Sequence, residues 1–372
     1  MSYIHQDADW PHFRLDHTAV QPALGAVRYR QGVLLGRMQS LGLGAQDEAA
    51  LSALTQDVVT SSEIEGEHLN PDEVRSSIAR QLGLEAGGLA PADRHVEGVV
   101  QMVLDATQNY DEPLTQERLF SWHGALFPTG RSGLHEIITG CWRDGRDGPM
   151  RVVSGRVGRE RIHFEAPDAA RVPDEMARFL DWLNRPAEND AVIQSALAHL
   201  WFVTIHPFDD GNGRIARAIA DYCLARAERS GHRFYSMSSQ IRARRNVYYS
   251  TLEHTQKDGL DVTAWLLWFL DCLDAALGAS ELALLKVNRR AHFWHRHADV
   301  AFNARQRKII TRLLEDFDSK LTSSKWAALA KCSQDTAARD LAALLEAKVL
   351  VRGAGGGRST HYVLADDASA SP

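Results

Sequence analysis

Apolar positions repeat along most of the chain at the three- and four-residue spacing of amphipathic helices. In residues 46–65 this face carries Leu51, Leu54 and Val58, and Gly66 then ends the segment. A new helix is predicted to begin after Asn70, because Pro follows at the first helical position and acids follow Pro. The same spacing predicts further helices over residues 94–110, 115–127, 168–185 and 190–205.

One segment departs from the helical pattern. Residues 150–165 alternate β-branched and polar side chains around Gly155 and Gly158, which predicts a β-hairpin. It is the only strand pair that the pattern predicts before residue 304.

The C-terminal residues predict a separate small module. Its expected elements are helices over residues 305–318, about 322–330 and 334–347, then strands 349–352 and 360–364 around a Gly-rich turn at 353–357. This order is typical of a winged-helix domain. Gln334, Thr336 and Arg339 would begin its third helix, and Arg352 and Arg358 would lie on the wing.

The length of 372 residues suggests two or three domains. The composition, 44% hydrophobic and 24% charged, is that of an ordinary globular protein. The net charge of −6 is uneven. Residues 304–364 carry 11 Lys/Arg against 6 Asp/Glu, whereas residues 1–303 carry 31 against 40. Only the C-terminal module therefore suits a polyanion such as DNA, and protein docking by this module is an equal alternative.

The expected location is cytoplasmic. The four cysteines, Cys141, Cys223, Cys272 and Cys332, form no Cys-x-x-Cys pair, which favours a reducing compartment. The first residues lack a signal-peptide pattern and no run of 18 apolar residues exists, so we expect a soluble protein with no membrane contact.

The segment His206–Arg217 concentrates the chemically useful side chains. An apolar helix ends just before it, and Pro207 with two glycines then predicts a tight loop at the start of the next helix. Free backbone N–H groups and the helix dipole make such a start an anion site. Gly211 and Gly213 lack Cβ atoms, so a phosphate can approach the backbone closely.

The side chains of this segment complete the prediction. Arg214 and Arg217, three residues apart, suit phosphate oxygens, and Asp210 offers a hard ligand for Mg²⁺. His206, with an ordinary pKa of about 6.5, can take a proton from a hydroxyl at neutral pH. Each feature alone is more often structural, but together they favour transfer at phosphorus onto a hydroxyl.

This segment also matches every fixed position of the Fic family signature, H-P-F-x-[D/E]-G-N-G-R-x-x-R. The segments Ile138–Arg143 and Ile162–Pro167 resemble those that precede the signature in Fic proteins. Residues 241–249, with Tyr248 and Tyr249, resemble the helix beyond it. The resemblance covers roughly residues 1–285.

The resemblance implies a mainly α protein, a Fic helical bundle with a β-hairpin flap, plus the small α+β winged-helix domain. Together with the charge shift near residue 300 and the C-terminal pattern of elements, it divides the chain into an N-terminal helical region, a Fic catalytic core, a linker helix and a winged helix-turn-helix, over residues 1–100, 101–285, 286–303 and 304–364.

The resemblance further implies transfer of AMP from ATP to a Ser, Thr or Tyr hydroxyl of a target protein. His206 would be the general base, Asp210 would hold Mg²⁺, and the backbone of Gly211 and Gly213 with Asn212 would form the anion hole.

Further side chains receive roles from the same resemblance. Arg214 would contact the β-phosphate and Arg217 the γ-phosphate. The flap would pair with the backbone of the target through the residues Val152, Val153, Ile162 and His163. Tyr248 and Tyr249 are candidates to border the adenine, with a packed aromatic as the alternative.

A built-in inhibitor is also implied. Ser61–Gly66 is similar to the family's inhibitory motif, [S/T]-x-x-x-E-[G/N], so that Glu65 would pair with Arg217 and displace the γ-phosphate. The alternative is an ordinary surface acid before a helix-ending glycine.

Three functions stay open at this point. The first is an autoinhibited adenylyltransferase that also modifies itself. The second is removal of AMP by the same site, with Glu65 orienting a water. The third is a DNA-binding regulator that only senses a nucleotide. The choice of ATP rests on the resemblance, and both the target protein and a homodimer are left open.

Overall fold

The computed structural model describes residues 2–84, 91–146, 148–156, 159–186, 190–314, 320–353 and 360–365. Over these residues the protein is mainly helical, as the sequence predicts, with three two-stranded antiparallel sheets. The chain forms two compact units, Met1–Ser280 and Glu281–Pro372. None of the described helices combines the length and the apolar character needed to cross a membrane.

The first unit contains ten complete helices among its described residues and most of an eleventh. They are α1 (His17–Gln39), α2 (Leu43–Ile64), α3 (Pro71–Gln81), α4 (Arg94–Gln108), α5 (Gln116–Leu126), α6 (Val172–Asn184), α7 (Ala191–Ile205), α8 (Asn212–Glu228), α9 (Met237–Ala243), α10 (Arg245–Thr255) and α11 (Thr263–Arg296). Two short 3₁₀ helices, Ile4–Gln6 and Ala169–Arg171, complete the set.

Helices with a clear three- and four-residue spacing of apolar positions were predicted correctly from the sequence. Leu51, Leu54 and Val58 are all buried on α2. Helix α3 begins as predicted, because the Asn70 side chain accepts a hydrogen bond from the Asp72 N–H at 3.0 Å and Pro71 occupies the first position.

The centre of the first unit is α7, which is apolar on all sides. Every residue from Val192 to Ile205 except Gln194 is buried, as expected for a helix surrounded by others. Helix α8 packs along it, and α4, α5 and α2 also contact α8. The loop that joins α7 to α8 is consequently largely buried, although Asp209 and Asp210 stay partly exposed.

Helix α2 is fixed beside α9 by a buried carboxylate. Asp57 accepts hydrogen bonds from the Ser236 hydroxyl at 2.6 Å and from the Ser238 N–H at 3.0 Å, near the start of α9. Since a buried acceptor without a partner costs about 1–3 kcal/mol, these bonds hold α2 in place.

Two strand pairs lie in the first unit. The predicted hairpin consists of β3 (Arg151–Arg156) and β4 (Arg159–Glu165). A second pair, β1 (Arg131–Ser132) and β2 (His135–Glu136), was not predicted. Its strands are two residues long and show no apolar alternation, so the sequence carries no signal for them.

The predicted boundary at residue 100 falls inside α4. This helix packs on α3 on one side of the boundary and on α5 and α8 on the other. Residues 1–100 and 101–280 consequently share one compact unit.

The second unit contains the end of α11, then α12 (Ala304–Leu314), α13 (Ser323–Ala330), α14 (Gln334–Glu346), β5 (Leu350–Arg352) and β6 (Tyr362–Leu364). The predicted order of three helices and two paired strands is present. The Gly-rich turn beyond Gly353, and Arg358, lie outside the described residues, and the winged-helix assignment stays a prediction.

The predicted linker helix 286–303 belongs to the second unit. Phe293, only 2% exposed, lies in the same apolar core as Ile310, Trp326 and Leu341. The end of α11 is therefore a packed part of this unit rather than a spacer before it.

Candidate active site

His206 follows the last residue of α7 in a left-handed conformation, with φ 52° and ψ 59°. This conformation costs a non-glycine residue about 1–2 kcal/mol, so it needs support. Arg143, 4% exposed, supplies it. Its Nε donates to the His206 carbonyl at 2.8 Å, its backbone N–H donates to the Pro207 carbonyl at 2.9 Å, and its Nη2 donates to the Pro167 carbonyl.

The hydrogen bonds of His206 select its tautomer. Its Nδ1 lies 3.2 Å from the Val203 carbonyl oxygen. Because a carbonyl only accepts, Nδ1 carries the proton and Nε2 keeps a lone pair. Burial lowers the pKa of His206 below its ordinary value, which favours this neutral form. The ring can thus accept a proton at Nε2.

The loop after His206 is closed by Asn212. The Asn212 Oδ1 accepts from the Phe208 N–H at 3.0 Å, and its Nδ2 donates to the Phe208 carbonyl at 2.8 Å. Gly211 has φ +79°, and a Cβ there would lie 2.8 Å from the Phe127 ring. The Asn212 side chain is therefore occupied within the loop, so the anion-hole role that the resemblance implies for Asn212 would fall to its backbone N–H.

The first turn of α8 presents two buried arginines. Arg214 is 2% exposed and Arg217 is 3% exposed. The Nε of Arg214 and the Nη1 of Arg217 find no hydrogen-bond partner among the described residues. Unpaired buried N–H groups are uncommon in native structures. Together with the positive end of α8, they favour an anion at this position.

Glu65 lies against Arg217. Its Oε1 accepts from the Arg217 Nη2 at 2.7 Å, while the Arg217 Nε donates to the Ser61 hydroxyl at 2.9 Å. The carboxylate also covers the start of α8, since a Cβ on Gly213 would lie 2.2 Å from the Glu65 Oε1. An acidic oxygen therefore stands where an anion would meet the helix N-terminus.

Arg214 is paired in the same way with Glu67, a contact that the sequence reasoning missed. The Arg214 Nη1 donates to the Glu67 Oε2 at 2.6 Å, and the guanidinium lies 5.0 Å from the Phe127 ring centroid. The His95 Nε2 lies 3.2 Å from the same oxygen. Although burial raises the pKa of Glu67, the hydrogen bond from His95 and the charge of Arg214 lower it overall, so the carboxylate is ionised.

Asp210 lies at the side of this loop. Its Oδ1 accepts from the Gly211 N–H at 2.6 Å, its Oδ2 accepts from the Ser132 hydroxyl, and its carbonyl lies 3.2 Å from the His123 Nε2. Burial lowers the pKa of His123 to about 4, so its ring is neutral and packs on Phe208 as a support. Neither Ser132 nor His123 was predicted, because they come from distant segments without a motif.

The donors around Asp210 fit a magnesium ion that is held mainly by phosphates. The described residues contain no cluster of three or more His, Cys, Asp or Glu side chains suited to a metal. Mg²⁺ usually binds through one or two carboxylates, substrate phosphates and water, and the partly exposed Asp210 carboxylate would supply the protein ligand.

The hairpin β3–β4 carries two exposed apolar side chains opposite each other. Val153 is 48% exposed and its partner Ile162 is 42% exposed, whereas Val152 faces the buried Phe164 across the strands. This register makes His163 the extra residue of a β-bulge.

The side chain of His163, predicted to dock the target, anchors the hairpin. Its Nε2 bonds with the Ser154 hydroxyl and its Nδ1 with Glu253 of α10, both at 2.6 Å. Its ring nitrogens are thus used within the chain, and a docking role of His163 through its backbone stays a prediction.

The two tyrosines proposed near the adenine differ. Tyr248 is 2% exposed and its hydroxyl lies 3.0 Å from the His199 Nε2, so it is a packed aromatic. Tyr249 is 38% exposed, with the Arg245 guanidinium 5.5 Å from its ring centroid. Of the two tyrosines, only Tyr249 is accessible to the adenine base of a nucleotide.

Comparison with known families gives two matches. Residues 113–224 match the Fic/DOC family, and residues 3–84 match a domain of unknown function (DUF4172). The Fic/DOC match contains His206–Arg217, His123 and Arg143, while Glu65 and Glu67 lie in the other match.

Two relatives bear names of nucleotide transferases. A uridine 5′-monophosphate transferase of Xanthomonas campestris pv. campestris is 27% identical over 172 residues, 43% of this chain and 30% of the relative. The protein adenylyltransferase Fic of Drosophila willistoni is 35% identical over 104 residues, 27% of this chain and 19% of the relative. The matches thus span less than a third of each relative.

The fold is similar to that of a solved Fic family protein from Desulfovibrio desulfuricans. The two share 23% identity and a TM-score of 0.51, over 92% of this chain and 96% of that one. This similarity concerns the fold alone.

Proposed function

We propose, from the Fic domain that residues 113–224 form, that this chain is an autoinhibited protein nucleotidyltransferase. Its reaction would move AMP from ATP to a Ser, Thr or Tyr hydroxyl of a target protein, and self-modification is expected. The observation that carries the proposal is the neutral His206, whose Nε2 has no hydrogen-bond partner among the described residues, beside a helix N-terminus that bears two buried arginines.

The residues of the site have distinct parts in this reaction. The target hydroxyl gives its proton to the His206 Nε2, and its oxygen forms a bond to the α-phosphorus of ATP. The bond from that phosphorus to the bridging oxygen breaks, and pyrophosphate leaves. Arg214 and Arg217 hold the β- and γ-phosphates, and the N–H groups at the start of α8 bind the phosphate oxygens. A magnesium ion on Asp210 would neutralise phosphate charge.

The hairpin β3–β4 is the proposed docking element for the target. Its exposed backbone edges can pair with an extended segment, and Val153 and Ile162 offer apolar contacts beside them. His163 and Glu253 would keep the hairpin in position during docking.

Glu65 is the proposed inhibitor. Its carboxylate takes one N–H of Arg217 and lies over Gly213, so a triphosphate would meet a negative charge where its γ-phosphate should bind. ATP could then bind only with its α-phosphate out of line with the attacking hydroxyl.

The nucleotide is the least constrained part of the proposal. The site contacts phosphates, and the two relatives bear the names of a uridylyl and an adenylyl transferase. AMP is the proposed group because further relatives, from Drosophila, Caenorhabditis and Aquifex, also bear the name of protein adenylyltransferases. Removal of AMP by the same site is the alternative reaction, with Glu65 as the group that orients water.

A regulatory role through DNA has weaker support. The exposed start of α14 combines Arg339 with the acidic Asp335, so this helix adds little positive charge to a DNA contact.

The test compares labels in the nucleotide. Purified Glu65→Gly protein is incubated with Mg²⁺ and ATP or UTP labelled at the α- or the γ-phosphorus. Protein labelled from α-labelled ATP, and not from γ-labelled ATP, supports AMP transfer. Label from the γ-position would instead mean phosphoryl transfer and would remove the proposal, and preference for UTP would replace AMP by UMP.

A further inference from the structure

The two carboxylates on the arginines of α8 belong to one helix cap. Gly66, with φ +86°, ends α2, and the N–H groups of Gly66 and Glu67 donate to the carbonyls of Glu63 and Ser62 at 3.1 and 3.0 Å. These bonds fix the spacing of Glu65 and Glu67. A movement of the end of α2 would therefore shift both carboxylates together.

Glu67 is bound more firmly than Glu65. Besides Arg214, it has His95 of α4 as a second partner. Arg214 in turn is buried against Phe127 and keeps its Nε without a partner among the described residues. Glu67 thus occupies one edge of the Arg214 guanidinium, the group that is proposed to bind the β-phosphate of the nucleotide.

The surroundings of His95 require a second proton on its ring. Its Nε2 lies 3.2 Å from the Glu67 Oε2, and its Nδ1 lies 3.2 Å from the Leu126 carbonyl oxygen. Both neighbours are acceptors, and a neutral imidazole has only one N–H to give. Only the imidazolium satisfies both contacts.

The charged groups near His95 come from two neighbouring segments. Glu67 lies on the turn after α2 and Arg214 lies on α8, while α5 contributes the Leu126 carbonyl. The α3 cation Arg80 is paired instead with Glu97 at 3.6 Å. The hydrogen bond that His95 donates to Glu67, together with the negative charge of Glu67, raises the pKa of His95 above its ordinary value despite burial.

We propose that Glu67, held by protonated His95, is a second inhibitory residue that competes with nucleotide phosphate for Arg214. The inference rests on the proposed function, since it assumes that a phosphate binds Arg214. When His95 loses this proton, its ring has one N–H for two acceptors, so the hydrogen bond that holds Glu67 in place weakens.

The direction with pH follows from the raised pKa of His95. The proton is held below that pKa and lost as the pH rises through it. Inhibition through Glu67 is therefore strongest at the lower pH and relaxes as the pH rises through the raised pKa of His95. Glu65 has no histidine hydrogen-bond partner among the described residues and acts on His206 only through its charge, so its inhibition need not follow this course.

The test measures binding rather than turnover. Calorimetry of the full-length protein with Mg²⁺ and α,β-methylene ATP, which cannot release pyrophosphate, is performed in the Glu65→Gly background. Adding Glu67→Gln should tighten Kd about fivefold, because the competing charge is gone but the side-chain shape remains. Glu48→Gln, which removes an exposed carboxylate of α2 that pairs with Arg75 of α3, should leave Kd unchanged.

A second variant tests whether the extra proton on His95 controls the inhibition by Glu67. Kd is measured from roughly pH 6 to pH 9. Affinity in the Glu65→Gly protein should increase with pH, and His95→Gln should remove that part of the dependence. His68→Gln, which changes an 80% exposed histidine of the same segment, should retain it.

The outcomes separate this inference from the proposed function. Unchanged affinity in Glu67→Gln, or a pH dependence that survives His95→Gln, would overturn the inference. Weaker binding in Glu67→Gln would also overturn it, because Glu67 would then position Arg214 for the phosphate. If the Glu65→Gly protein neither binds the probe nor transfers label, the proposed function itself fails.

Discussion

The Glu65 Oε1 lies 2.7 Å from the Arg217 Nη2 and directly over the backbone of Gly213. The contact joins the end of α2 to the first turn of α8, across 152 positions of sequence. A carboxylate and a phosphate cannot both occupy this place. The same arginine is therefore where nucleotide binding and its inhibition would compete.

The pH dependence of transfer should report the His206 base. Its pKa is lowered by burial, so the neutral ring persists below the ordinary titration range of histidine. In the Glu65→Gly protein at saturating ATP, kcat should fall only as the pH drops through this lowered pKa, and it should be level near neutrality. A profile that still climbs steeply above pH 7 would argue against His206 as the base.

Arg143 should act on catalysis through the position of His206. Arg143→Lys keeps the positive charge but loses the fork that reaches the carbonyls of His206 and Pro167. We expect kcat to fall about 100-fold with little change in KM for ATP, because a small displacement of the base is costly. Arg146→Lys, an exposed arginine paired with Asp144, is the matched control. An equal loss in both variants would refute the positioning role.

Ser132 should influence the metal requirement. Its hydroxyl donates to the Asp210 Oδ2 and so orients the carboxylate proposed to hold Mg²⁺. Ser132→Ala should raise the Mg²⁺ concentration for half-maximal activity about tenfold, since groups that orient a ligand commonly affect metal affinity by that much. The titration is done at saturating nucleotide, and an unchanged midpoint would show that Asp210 is positioned without Ser132.

The exposed pair Val153 and Ile162 on β3–β4 should affect transfer to the protein substrate but not the binding of nucleotide. Ile162→Ser is expected to reduce label transfer to protein about tenfold, because it removes an apolar contact at a proposed docking edge. Its affinity for α,β-methylene ATP should be unchanged. The control is Leu43→Ser, which alters a 78% exposed leucine on α2. Loss of nucleotide affinity in Ile162→Ser would place this residue in the nucleotide site instead.

Local sequence patterns predicted the elements that depend on local interactions. The period of α2, the cap at Asn70 and the alternation in β3–β4 are encoded within a few residues of each element. The loop after α7 was predicted for the same reason, since Pro207 and the glycines act on their own backbone. Helix α1 gave no such signal, because its apolar positions do not form a clear stripe and Pro22 interrupts them.

Contacts between distant segments could not be predicted in this way. Glu67 and His95 bear no motif, and they meet Arg214 only because α2, α4 and α8 pack together. The anchoring of His163 by Glu253 has the same origin. Sequence spacing indicated the chemistry of the loop, whereas the groups that orient and restrain it arise from tertiary packing.

The central claim is that His206 transfers a nucleotide while Glu65 restrains it. Incorporation of α-labelled ATP into protein is measured for the wild type, Glu65→Gly and the double variant Glu65→Gly/His206→Ala. We predict that Glu65→Gly raises incorporation about tenfold or more over the wild type, and that the double variant incorporates none. Equal labelling of the two variants would contradict His206 as the base, and equal labelling of Glu65→Gly and the wild type would contradict the restraint.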